Sequence, residues 1–136
     1  MLDEIPSPDE WEGLVKTLVI IDDMNLKTGL SKDQKTNLDR LFGYCSTHKS
    51  ISCAVLVQDT FSVPPIIRRC SNIWVLWKTH DLDSMANCAR KAGISCETLK
   101  FIFDNFILTN HDSLMLDMTD KSPYKRRING YKMINT

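Results

Sequence analysis

No apolar run in this 136-residue sequence approaches the ~20 residues that a bilayer-spanning helix needs. The N-terminus also lacks a basic segment followed by an apolar one. Neither a secretory signal nor a membrane partner is expected, and the chain is expected inside a cell. There is no CxxC pair: the five cysteines, at 45, 53, 70, 88 and 96, are odd in number and lie mostly within apolar patterns. They read as buried thiols in a reducing compartment, neither a disulfide framework nor a zinc site. Net charge is lacking too, because 17 basic residues balance 17 acidic ones, so no overall attraction to nucleic acid follows. No repeat or low-complexity tract is present. What remains, 43% apolar and 25% charged, is the composition of an ordinary globular domain long enough to bury a core.

The charge that is present is unevenly spread. Residues 1–14 form an acidic leader with Asp3, Glu4, Asp9, Glu10 and Glu12, and Pro6 and Pro8 favour an exposed loop that Trp11 and Leu14 can dock. The tail holds Lys121, Lys125, Arg126, Arg127 and Lys132, so any DNA-facing surface is expected towards the C-terminal end.

The stretch from Thr17 to Asn25, TLVIIDDMN, runs consecutive apolar residues into an acidic pair. Without polar alternation it reads as a strand buried on both faces, as in a parallel sheet. Asp22 and Asp23 then sit at the carboxyl end, where open α/β sheets form their ligand crevice. A hydrated magnesium ion suits such a pair, although Asp at a strand end also serves as turn or cap chemistry. Ser31 and Gln34 fit a capping box opening a helix over Lys32 to Ser46, with Leu38, Leu41, Phe42 and Cys45 as its apolar stripe. Ile51 to Gln58 is a second buried strand, so strand, helix and strand make a right-handed βαβ crossover with both tips at one edge.

Farther on, IIRRC is a short helical turn carrying Arg68 and Arg69, and Asn72 to Lys78 is a third strand. Asp81 caps a helix through about Lys91 that stops at Gly93, and Ser95 begins another with Leu99, Ile102, Phe103, Phe106 and Ile107 inward. A final strand pair is expected over Ser113 to Met118 and Tyr124 to Tyr131. The polar groups expected to converge are Asp22, Asp23, Gln58 and the arginine pair. Phosphoryl transfer needs such a set: a carboxylate for magnesium, a group orienting water and a cation for the transferred phosphoryl. Each has a plainer reading, since Gln58 can satisfy a strand-end backbone group and adjacent arginines are commonly solvated.

The succession LVIIDDM, FGYCSTHKSISCAVLVQDTF, IIRRCSNIWVLWKTHDLD and MANCARKAG resembles the second half of the FtsK/HerA superfamily of double-stranded DNA translocases. Within it, the sequence is most similar to the genome-packaging branch of poxviruses, other large DNA viruses and polinton-like elements. The resemblance implies an α/β fold: a partial RecA-like P-loop NTPase core, mostly parallel sheet flanked by helices, with a C-terminal strand pair. Residues 15–136 would be the C-terminal part of a single P-loop ATPase domain. It also implies Mg2+ and ATP, with Asp22 holding magnesium through its water shell and Asp23 in the position of the water-activating carboxylate. Asp is shorter by a methylene than the Glu common there. Gln58 would sense the γ-phosphate or orient water, Arg68 or Arg69 would act across a subunit boundary, and Asn72 would occupy a polar position before the third strand. His48 lies in a family-like segment and is expected to order its turn.

No G-x-x-x-x-G-K-[ST] occurs among these residues, which leaves no phosphate cradle, phosphate-binding lysine or Ser/Thr magnesium ligand. The chain is therefore expected to be inactive alone. The first expectation is part of an ATP-driven motor packaging double-stranded DNA, working as a ring of identical subunits with capsid components as further partners. It would reside in the host cytoplasm or nucleus, or in the virion. Alternatives are a non-catalytic fragment that binds a protein and, lowest, a metal-dependent nuclease using Asp22, Asp23 and Asp59.

Overall fold

The computed structural model describes residues 4–23, 26–122 and 125–135. The chain divides into two units, Met1–Cys70 and Ser71–Thr136. No helix among the described residues is long and apolar enough to cross a membrane.

The first unit is built on two parallel strands, β1 (Thr17–Asp22) and β2 (Ile51–Leu56). Between them, α1 (Lys32–Arg40) runs into a wide π-helical turn over Leu41–Cys45 and a last turn, α2 (Ser46–His48). The expected stripe is buried in full: Leu38, Leu41, Phe42 and Cys45 pack with Ile21 and Ile51. Ser31 Oγ accepts from the Gln34 amide at 3.2 Å, as a capping box requires. The Gln34 side chain does not return to Ser31. Its Oε1 accepts from the Ile5 amide at 2.6 Å, and Asn37 Nδ2 donates to the Ile5 carbonyl at 3.0 Å. The leader is thereby tied to α1 through buried Ile5, with Trp11 half-buried beside it, whereas Leu14 is 91% exposed. Docking by Leu14 is thus corrected: the leader is held instead through Ile5 and through Lys49 Nζ, which donates to the Pro8 and Trp11 carbonyls at 2.5 and 2.7 Å.

The expectation that β1 is buried on both faces also needs correction. Val19 and Ile21 face the core, but Leu18 and Ile20 on the other face are 63% and 61% exposed. An unbroken apolar run reports suitability for two-sided burial, and within this unit only one side is covered. After β2, the 3-10 turn Thr60–Ser62 leads to α3 (Pro65–Cys70).

In the second unit, β3 (Ile73–Leu76) is followed by α4 (Leu82–Ala92) and α5 (Cys96–Phe106). The chain then forms β4 (Leu114–Asp117), β5 (Arg126–Ile128) and β6 (Lys132–Met133), in one antiparallel sheet of order β3-β4-β5-β6. One intervening helix returns the chain for a parallel neighbour; two helices return it antiparallel, so β4 pairs against β3. Both caps form as expected: Asp81 accepts from the Ser84 amide at 2.7 Å, and Gly93 ends α4 at φ 67°. Met85, Cys88, Ala89, Ala92, Leu99, Ile102, Phe103 and Ile107 pack on β4 and β5 residues Leu114, Leu116 and Ile128. The last expected strand is instead a hairpin, because Asn129 at φ 53° and Gly130 at φ 79° reverse the chain after Ile128. Tyr124, like Asn25 in the first acidic stretch, lies outside the described residues. The α/β class holds, with parallel pairing confined to β1 and β2 among the described residues.

Candidate phosphoryl-transfer site

Parallel pairing brings two strand tips to one edge. Asp22 stands opposite Leu56 on the last paired rung, so Asp23 and Gln58 both leave the sheet at the same end. All three residues are exposed. Asp23 adopts φ 52°, a left-handed conformation that Asp tolerates better than most residues and that recurs where a loop holds a ligand.

Asp59 is occupied locally: its Oδ1 accepts from the Phe61 amide at 2.9 Å, and its carbonyl receives the Ser62 hydroxyl at 2.6 Å. It caps the turn that carries the chain to α3. Among the described residues no three His, Cys, Asp or Glu side chains gather as a metal site, so Asp59 does not join the acidic pair as a ligand cluster. A magnesium ion that keeps most of its waters asks less of the protein, and the exposed carboxylates of Asp22 and Asp23 fit that demand.

The two arginines separate on α3. Arg68 is half-buried and engaged in the fold, while Arg69 is exposed and lines an open cavity of about 430 Å³. Lys27 and Lys35 line the same cavity. Neither lysine has a sequence motif to mark it, since the cavity assembles from the β1–α1 loop, α1 and α3. His48 is exposed and its ring lies 4.6 Å from that of Tyr44, one helical turn back, as suits a residue ordering the helix end. Asn72 belongs to the second unit, where its carbonyl accepts from the Met118 amide at 2.8 Å.

The cysteines are free, and burial pushes the Cys53 and Cys88 thiols up to about 11, which keeps them protonated and unreactive. Cys96 departs from the expected burial: as the first residue of α5 it is exposed.

This α/β architecture is similar to that of solved viral genome-packaging NTPases. The chain superposes on the DNA-packaging ATPase B204 from Sulfolobus Turreted Icosahedral Virus with a TM-score of 0.61 at 15% identity. It superposes on the genome packaging NTPase B204 from Sulfolobus turreted icosahedral virus 2 with TM-scores of 0.60 in its complex with AMPPCP and 0.59 with ATP-gammaS, again at 15% identity. In each case 83% of this chain is covered, and the chain spans about half the length of the B204 structure, 51%. No family model and no curated protein matches the sequence.

Proposed function

We propose that this chain supplies the acidic strand tip, the polar sensor and the arginine of an ATP-driven motor that packages double-stranded DNA, of the FtsK/HerA type. The observation that carries the reading is the shared edge: Asp22, Asp23 and Gln58 leave parallel strands at one end, in a fold matching B204. Asp22 holds the water shell of Mg2+, which would offset negative charge on the phosphates. Asp23 accepts the proton of the attacking water, Gln58 orients that water, and Arg68 or Arg69 meets the phosphoryl group of a neighbouring copy in a ring.

ATP hydrolysis needs a phosphate loop from outside residues 1–136, on the same polypeptide or another. The uncovered apolar face of Leu18 and Ile20 supports such a complement, because an α/β sheet of this class has helices on both faces. Replacing Asp23 by Asn in the complete assembly is expected to cut ATP turnover ~10²- to 10⁴-fold, the range for loss of a general base. Retained turnover would remove the catalytic assignment. That same open face favours a second reading, in which the chain acts only by docking to a partner. A chain that gains no thermal stability with Mg·ATP in any assembly would support it.

A further inference from the structure

We propose that the cavity between α1 and α3 is a contact site for the phosphodiester backbone of DNA, with Lys27, Lys35 and Arg69 as its cations. The inference rests on the packaging reading for its ligand, while Lys27 and Lys35 take no part in the chemistry proposed above.

Three elements converge here. Lys27 comes from the loop after β1; Lys35, Leu38 and Asp39 come from one face of α1 at spacings of three and four; Ile66 and Arg69 come from one face of α3. Three cations therefore face one carboxylate across an opening of about 430 Å³, in a chain whose overall charge is zero. None of the three cations is in an ion pair among the described residues, whereas Arg127, in the basic tail, is bound to Asp117 and Asp120.

The lining also defines what the site can read. Its floor is aliphatic, with Leu38 and Ile66, and it has no aromatic ring on which a base could stack. It has no Asn, Gln, Ser or Thr either, so nothing there is suited to reading base edges. Cations on an apolar floor recognise phosphate and sugar without regard to sequence, as a translocating motor requires. A bound triphosphate would also be anionic, but the sites that hold one use a cradle of backbone amides, which a rim of flexible lysines does not provide.

The test is the salt dependence of binding to a short fluorescent duplex, measured by anisotropy with the full chain. Three phosphate contacts give a slope of log K against log salt of about −2.7, or roughly 40-fold weaker binding between ~50 and ~200 mM salt. Lys27→Ala and Lys35→Ala should each reduce the slope by about 0.9, leaving a roughly 12-fold loss over that range, while Lys27→Arg restores it. Lys100→Ala, on α5, serves as the control and should leave the slope unchanged. Arg69 is shared with the hydrolytic proposal, so the lysines carry the test. Unchanged slopes in both lysine variants, no duplex binding by the wild type, or equal displacement by tripolyphosphate at matched phosphate concentration would each overturn the inference. Turnover in the Asp23→Asn assembly reads the packaging proposal separately.

Discussion

Asp112 shows how single residues hold the second unit together. Its carboxylate accepts from Asn129 Nδ2 at 2.9 Å, from the Leu108 and Thr109 amides at 3.2 and 2.8 Å, and from the Thr109 hydroxyl at 3.0 Å. The Asn129 side chain holds it below the ordinary Asp value of 3.8; Thr119 does the same for Asp117, and Ser122 for Asp120, with the Arg127 guanidinium assisting both. A depressed folded-state value means the group binds its proton more readily when unfolded. The stabilisation is therefore present above pH 3.8 and is lost as pH falls through the lower folded values. Acid titration followed by near-UV circular dichroism should show tertiary structure weakening below that point, and Asp112→Asn should weaken the dependence. Thiol chemistry gives a second expectation: in the native protein iodoacetamide should label exposed Cys96 first, with Cys45 and Cys88 protected until unfolding, as peptide mapping would read. Gly93, at φ 67° with open space where a Cβ would stand, should lose about 1–2 kcal/mol on Gly93→Ala, visible as a lower urea midpoint.

At the scale of elements, periodicity was the dependable signal. The stripe of Leu38, Leu41, Phe42 and Cys45 is buried because spacings of three and four leave one helical face apolar. The caps at Ser31, Asp81 and Ser95 were legible for a similar reason: a short polar side chain reaches its own helix within three residues. Coverage of β1 was not legible, since LVII is the same string whether or not a second layer lies on Leu18 and Ile20. Nor was the Lys27, Lys35 and Arg69 cluster, which arises only when residues from three elements meet. The two faces of β1 should respond differently to mutation. Ile21→Ala is expected to cost about 2–5 kcal/mol as a core truncation, measured by urea unfolding. Leu18→Thr with Ile20→Thr should leave the midpoint nearly unchanged and reduce binding of a hydrophobic dye.

For the whole molecule, the proposed chemistry falls within residues 1–70, and the second unit carries an antiparallel sheet under two helices. The likeness to B204 extends over 83% of this chain and about half of that one. The acidic pair, Gln58 and the arginine pair were readable as candidates because each follows an element whose type was readable. The placement of the acidic pair and Gln58 at one edge depended on β1 and β2 being parallel, which a single intervening helical segment dictates; where the arginines on α3 fall was not set by that pairing. The most direct measurement is ATP turnover by the native assembly purified through this chain, comparing wild type with Asp23→Asn. A loss of ~10²- to 10⁴-fold, with the assembly intact, is the expected result. Turnover indistinguishable from wild type would contradict the account.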